Sequence, residues 1–179
     1  FIAASKNDFV KYVSLFRNYG KEAGASLAHP HSQLITLPVV PDMASRRFGK
    51  DYTGMIKKEI SSPRLILKTE KTVAIAPYAS EFPYEVWILP LKPCKNIGSM
   101  QDEDRDNMAI CARKILSKIS SLLSDPAYNY CFVQSVNEDM HMYMRICPKL
   151  GTMAGFELNT GLTINSVPPE DAAKYLREI

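Results

Sequence analysis

Apolar and polar positions alternate and cluster along the chain in a way that divides it into strands and helices. Residues 9–17 (FVKYVSLFR) are β-branched and aromatic enough for a strand, and residues 31–40 (HSQLITLPVV) for a second, with a loop over 20–28 between them. Pro38 and Pro41 end the second strand. Over residues 44–60, Phe48, Tyr52, Met55, Ile56 and Ile60 recur at helical intervals, which predicts a connecting helix with Arg46, Arg47, Lys57 and Lys58 on its solvated face. From Arg64 the pattern returns to strands, RLILKT, TVAIAPYA and EVWILP, separated by turn-prone or proline-bearing segments. Ser99 followed by Asp102 resembles a capping box, and Met108, Cys111, Ile115, Ile119 and Leu122 then keep a 3.6-residue period, so one long helix runs to about Asp125-Pro126. YNYCFVQSV and HMYMRICP read as two more strands, and PPEDAAKYLREI as a short C-terminal helix with Glu170 and Asp171 favourably near its start. The order strands, helix, strands predicts an α+β fold with a mostly antiparallel sheet.

This order suggests three parts: residues 1–41, a connecting segment over 42–63, and residues 64–179. The last has enough elements for an antiparallel sheet with helices. The first has two strands, and an isolated hairpin is marginal in water. Those strands are therefore expected to be covered by preceding sequence or by another chain.

Composition narrows the function. At 179 residues and 46 % hydrophobic content the chain can bury one sizeable core. Its apolar runs are only a few residues long and its start has no basic-then-apolar signal pattern, so the expectation is a cytoplasmic protein with no membrane partner. Cys94, Cys111, Cys131 and Cys147 are widely spaced with no CxxC, which suits reduced, packed thiols better than a disulfide framework or a four-cysteine metal site. A net charge of +3 from 22 basic and 19 acidic residues, scattered along the chain, gives no footprint for nucleic acid and leaves a small anionic ligand open. Trp87 and the methionines of DMHMYMRI are assigned to packing, and His141 to a surface or strand position.

The densest chemistry lies in residues 16–33, FRNYGKEAGASLAHPHSQ. His29 and His31 are two apart, so on an extended chain both rings face one side, and Pro30 between them favours an entry or edge position. A pair of ordinary surface or core histidines is the plainer reading of HxH. The neighbours point to chemistry: Gly20 and Gly24 let backbone amides approach an anion, and Asn18, Ser26 and Gln33 add neutral donors. Together they suit a phosphate held beside an imidazole. A neutral imidazole attacks phosphorus and leaves readily, dividing a transfer into two reversible displacements, while fixed donors stabilise the phosphoryl charge.

This segment resembles the active-site motif of the galactose-1-phosphate uridylyltransferases, the transferase branch of the histidine-triad superfamily, in which a serine stands ahead of HPHxQ. Asn18, Gly20, Gly24, Ser26, His29, Pro30, His31 and Gln33 match in register, while Leu27-Ala28 replaces the usual Asn-Pro. The resemblance continues through PYASEFPYEVWILP and AGFELNTGLTINSVPPEDAAKYLREI and spans nearly the whole chain. It implies a duplicated histidine-triad-like fold, present here as the second half and the tail of the first. It also implies that His31 is the nucleophile that carries the uridylyl group, that Ser26 and Gln33 hold the transferred phosphate, and that Asn18 and Gly24 line the phosphate path. His29 matches a position that in many members binds structural zinc together with N-terminal cysteines, so a zinc ion here would need ligands from outside this chain. The iron-type site of some members has Tyr143 and Arg145 in place of its histidines, so no metal is expected there, and no organic cofactor is expected anywhere. Glu157 in GFE matches a GYE element that reaches the sugar in the neighbouring subunit, with Phe156 beside it, and this implies a homodimer. A solvated strand-end carboxylate for Glu157, with Phe156 in the core and Gly155 in a turn, is the plain alternative. The activity implied is exchange of UMP between UDP-glucose and galactose 1-phosphate. An adenylyl-transferring relative such as ADP-glucose phosphorylase and a non-catalytic nucleotide-binding module are the alternatives.

Overall fold

The structure, a computed structural model, describes residues 1–27, 29–45 and 51–179, apart from the side chain of Met43. After a single helical turn, α1 (Ile2–Ser5), strand β1 (Tyr12–Tyr19) leads through a 3-10 turn (Lys21–Ala23) towards β2 (Gln33–Leu37). Helices α2 (Asp42–Ser45) and α3 (Tyr52–Ile60) precede β3 (Leu65–Lys68), β4 (Thr72–Ile75) and β5 (Val86–Pro90). The long helix α4 (Asp102–Leu123) is followed by β6 (Tyr128–Val133), β7 (Tyr143–Pro148), α5 (Gly155–Thr160) and α6 (Pro169–Glu178). The fold is α+β, as the sequence pattern predicts.

All seven strands form one antiparallel sheet in the order β2-β1-β6-β7-β5-β4-β3. The first two strands are therefore not an isolated hairpin. β1 pairs directly with β6, Asn18 opposite Asn129 and Phe16 opposite Cys131, and so joins its hairpin to the rest of the sheet, leaving β2 as an edge. The pairing also draws β1 on to Tyr19, while Phe9, 81 % exposed, lies before it. β2 is shorter than predicted, and His29 and His31 precede it.

One sheet face carries α4 and α6, whose Met108, Cys111, Ile115, Ile119, Ala173 and Leu176 bury against Ile66, Ala74, Val86, Ile88, Met144 and Ile146. The opposite face carries α3, where Tyr52 and Ile56 pack on Val73, Ile75, Trp87, Leu89 and Tyr143. Strand β4 is buried on both faces, which explains its unbroken apolar reading. Trp87 is a packing residue, stacked at 4.3 Å on Tyr143. α3 starts where Asp51 accepts the Gly54 N–H at 2.8 Å, and its Lys57 and Lys58 are solvated. Arg46, Arg47, Phe48 and Ala28 lie outside the described residues.

Two local predictions change. The capping box belongs to Asn96 and Ser99, which close the 3-10 turn Ile97–Ser99, whereas α4 begins at Gln101 without a side-chain cap and carries Asp102, Glu103 and Asp104 in its first turn. His141 is 4 % exposed instead of at the surface. Its Nε2 lies 2.7 Å from the Pro90 carbonyl, which can only accept, so Nε2 carries the proton. Burial pushes its pKa below the ordinary 6.5, against a smaller opposing effect of that hydrogen bond. The folded chain thus binds this proton less readily than the unfolded chain. The stability His141 confers is fully present above pH 6.5 and is lost as pH falls through its depressed folded pKa. Urea midpoints from about pH 7 to about pH 5 are expected to fall less steeply in His141→Gln than in the native chain, and parallel slopes would count against this linkage.

Candidate active site

Residues 18–33 form a structured corner between β1 and β2. Gly20 turns the chain at φ 82°, where a Cβ would stand 2.6 Å from the Ala127 side chain, so this position tolerates only glycine. Gly24 closes the following turn in the left-handed region at φ 83°. The amides of Ala23, Gly24 and Ala25 donate to the carbonyls of Gly20, Lys21 and Gly20. Those three N–H groups are engaged inside the corner, so the expectation that the glycine loop presents them to an anion changes. The side chains of Asn18, Ser26 and Gln33 remain as candidate neutral donors for a phosphate.

Sequence reasoning missed the residue that braces this corner. Asn129 on β6 donates to the Asn18 side-chain oxygen at 2.9 Å and to the Ala23 carbonyl at 2.8 Å. It fixes the Asn18 amide so that its Nδ2 points to the Gly24 side, 3.5 Å from that carbonyl. A single asparagine inside a strand gives no local signal. Only the β1–β6 register reveals its position.

Gln33 is opposite Phe16 in the β1–β2 register, and Phe16 and Asn18 alternate onto the same side of β1, so Gln33, Phe16, Asn18 and Asn129 share one sheet face. A hollow of ≈ 280 Å³ lies on that face, lined by Phe16, Asn18, Asn129, Arg145, Cys147 and Lys149 among others. Burial pushes the Cys147 thiol up to about 12, so it offers no nucleophile there. Ser26 and His29 line a larger open cleft of ≈ 700 Å³ with Arg17, Tyr19, Lys21 and Asp125. Its far wall is closed by a Tyr19 hydroxyl donating to Asp125 at 2.8 Å. Asn18 borders both spaces.

The rings of His29 and His31 lie 5.5 Å apart, and His31 is the more shielded of the two. His31 Nδ1 lies 3.1 Å from the backbone carbonyl of His29. Because a carbonyl only accepts, Nδ1 carries the proton, and the lone pair of a neutral His31 is on Nε2. The histidine motif thus presents an imidazole in a fixed tautomer.

Glu157 and Phe156 sit apart from this corner. GFE opens helix α5, not a strand end, and Phe156 is 50 % exposed instead of in the core. A Glu157 oxygen accepts the Ala154 N–H at 3.0 Å. Hydrogen bonds from its own N–H and that of Ala154 hold the carboxyl below the usual range. Glu157 lines a third hollow of ≈ 200 Å³, which meets the ≈ 280 Å³ hollow at Phe82, Pro148 and Lys149. His29 supplies one ligand where a structural zinc takes four, and among the described residues no three His, Cys, Asp or Glu come together to hold a metal. The residues present do not make a zinc site by themselves. Nor is any helix among the described residues long and apolar enough to cross a membrane.

The antiparallel sheet with the HPHxQ corner at its edge has a histidine-triad-like fold. A Zn-bound histidine triad family protein from Mycobacterium smegmatis matches 73 % of the chain and 91 % of its own at TM-score 0.55 and 12 % identity, a likeness of fold alone. Residues 3–178 match the family described as "Domain of unknown function (DUF4921)". ADP-glucose phosphorylase of Arabidopsis thaliana is 35 % identical over 98 % of the chain and 54 % of its own length. Galactose-1-phosphate uridylyltransferase of Thermotoga maritima is 32 % identical over 97 % and 62 %. The crystal structure of an Arabidopsis ADP-glucose phosphorylase with bound ADP-glucose superposes at TM-score 0.91 with 31 % identity, over 99 % of the chain and 62 % of that structure. The chain therefore belongs to the DUF4921 family and is related to the galactose-1-phosphate uridylyltransferases, and its likeness to histidine-triad proteins is one of fold. It spans little more than half the length of the curated relatives it matches.

Proposed function

We propose that the chain carries the nucleotidyl-accepting site of a nucleotidyltransferase acting on nucleotide sugars. The observation that carries the reading is the His31 Nδ1 contact with the His29 carbonyl, which leaves Nε2 as the nucleophile. Nε2 attacks the α-phosphorus of the nucleotide sugar. The P–Nε2 bond forms, the bond to the bridging oxygen breaks, and hexose 1-phosphate leaves as a stable anion that needs no proton. An incoming phosphate oxygen then reverses the sequence, and Nε2 departs. Ser26, Gln33 and Asn18 donate neutral hydrogen bonds to the transferred phosphoryl group, with Gly24 lining the path. Because Gln33 does not titrate, it has no proton to exchange with water at the intermediate.

On the first reading the nucleotide is UDP-glucose and the acceptor galactose 1-phosphate, so that UMP is exchanged. A second reading, adenylyl transfer from ADP-glucose, is supported by the similarity to a phosphorylase whose structure holds ADP-glucose. Orthophosphate as acceptor would then yield ADP. Incubation with either nucleotide sugar and intact-protein mass spectrometry separates the two: a uridylyl adduct supports the first, an adenylyl adduct the second, and no adduct with either overturns the proposal.

The site is read as part of a homodimer, with Glu157 and Phe156 of one subunit reaching the sugar held near His31 of the other. Supporting this, the segment 150–164 exposes Leu150, Met153, Phe156, Leu158, Leu162 and Ile164, with Leu158 at 74 %. Light scattering at micromolar concentration is expected to report a dimer that Leu158→Glu dissociates, and a monomer throughout would exclude it. Any zinc bound through His29 would draw its other ligands from outside this chain, and no step above uses it.

A further inference from the structure

Residues 26–32 carry the histidine motif between the turn at Gly24 and the start of β2. Inside this stretch His31 Nδ1 meets the His29 carbonyl. Among the described residues, the stretch reaches the rest of the fold through one hydrogen bond, between the hydroxyls of Ser32 and Tyr130 at 3.1 Å. The β1–β2 ladder begins only at the next residue, Gln33 opposite Phe16.

Tyr130 is a fixed post for that contact. On β6 it stands opposite Arg17 of β1. With strands about 4.8 Å apart, the entry to β2 lies about 10 Å from β6, so the phenol reaches across β1 to Ser32. It does so on the sheet face opposite to that of Asn18 and Asn129, which pair one position along the same strands. Its neighbours along β6 hold the ring from both sides. Tyr128 stacks on it with centroids 6.4 Å apart and 18° between the planes, and Phe132 meets it edge-on at 6.3 Å. The hydroxyl is therefore placed by packing within the sheet and not by the motif it holds.

Alternation gives this contact its consequence. Successive side chains of an extended chain turn to opposite faces, so Ser32 held on the Tyr130 face puts its neighbours His31 and Gln33 on the other. Gln33 shares that other face with Asn18 and Asn129. Without the fastening at Ser32 the imidazole is free to turn away from these donors, because its own contact with the His29 carbonyl moves with it.

We infer that the Ser32–Tyr130 hydroxyl pair is a positioning device for the proposed nucleophile. It fixes the face on which His31 stands, so nucleotidyl transfer to His31 depends on a residue of β6 that lies 98 positions from Ser32 in the chain. The inference rests on the reading of His31 as the nucleophile.

Tyr130→Phe and Ser32→Ala each delete one hydroxyl and keep the packing, whereas Ser32→Thr keeps the hydroxyl. Rates of adduct formation on the full chain, followed by intact-protein mass spectrometry over a range of UDP-glucose and ADP-glucose concentrations, separate binding from the chemical step. Each deletion is expected to lower the saturating rate about threefold to tenfold, the range of one hydrogen bond, at an unchanged half-saturating concentration. The double variant is expected to be no slower than either single one, because both remove the same bond, and Ser32→Thr to label within about twofold of the native rate. Hydrogen exchange of the Gln33 amide needs no substrate and is expected to quicken about threefold or more in Tyr130→Phe at an unchanged thermal midpoint. Losses that add in the double variant, a loss confined to half-saturation, or native exchange in Tyr130→Phe overturns the inference. A native chain that takes no adduct overturns the reading of His31, and the exchange measurement alone then decides the fastening.

Discussion

Replacing His31 by alanine is expected to abolish the covalent nucleotidyl adduct and to lower sugar-phosphate exchange by a factor on the order of 10⁴–10⁶, the scale on which loss of a covalent nucleophile acts. The adduct in the native chain should be acid-labile, as a P–N bond is. His29→Ala is the informative control. The contact that orients His31 is made by the main-chain carbonyl of residue 29, not by its imidazole, so the His31 tautomer survives that substitution and labelling should persist. Ser26→Ala or Gln33→Ala should each lower labelling by about 10²–10³ while leaving the site of attachment unchanged, since each removes one donor to the phosphoryl oxygens. Undiminished labelling of His31→Ala would move the nucleophile elsewhere and, with it, the assignment of the whole corner.

Much of this corner is legible in the sequence because its signals are local. The glycines at 20 and 24 mark tight turns, and the histidine spacing with a following glutamine marks the candidate chemistry. The braces are long-range. Asn129 lies 111 residues from Asn18 and meets it only because β6 is next to β1 in the sheet. The same pairing explains why the hairpin of residues 12–37 joins the main sheet, a choice that strand periodicity cannot make, since it specifies which face a residue takes and not which strand lies beside it. His141 is hidden for a similar reason: its burial depends on the Pro90 carbonyl, 51 residues away. Helix α5 escapes prediction because it is six residues long and leaves Phe156 and Leu158 exposed, so it has no buried stripe for a 3.6-residue period to report. In α4 the stripe is long enough to report itself: the predicted positions 108, 111, 115 and 119 are buried, and Leu122 is half-buried against the same core.

Replacing Glu85 by alanine is expected to cost about 3–5 kcal/mol of folding stability, roughly a fifth or more of what a domain commonly has. Glu85 is 1 % exposed and stands immediately before β5, where both carboxylate oxygens are in use. One accepts from the Trp87 indole and from Arg145 Nε, each at 2.7 Å. The other accepts from the Glu81 and Phe82 amides at 2.9 and 3.3 Å and from Arg145 Nη2 at 3.0 Å. Truncation takes their shared acceptor from these donors and takes from the guanidinium, 7 % exposed along its side chain, its buried counter-charge, while the more exposed Glu81 at 2.6 Å stays. Glu85→Gln keeps the shape but turns an amide N–H towards donors, so its loss should be smaller than that of alanine and still above about 1 kcal/mol. Pairing Glu85→Leu with Arg145→Met removes both charges together, and the double variant should be more stable than Glu85→Leu alone, because a buried ion pair replaced by apolar groups costs less than one broken in half. Arg145 lines the hollow beside Asn18 and Asn129 and is paired in register with Cys131, so the same loss should reach the proposed site. Hydrogen exchange of the 20–26 amides is expected to quicken in Glu85→Ala before global unfolding sets in. Guanidinium denaturation of the native chain and the four variants decides the energetic part: a Glu85→Ala loss below about 1 kcal/mol would mean that the triad is solvated in solution and does not hold β5 to β7.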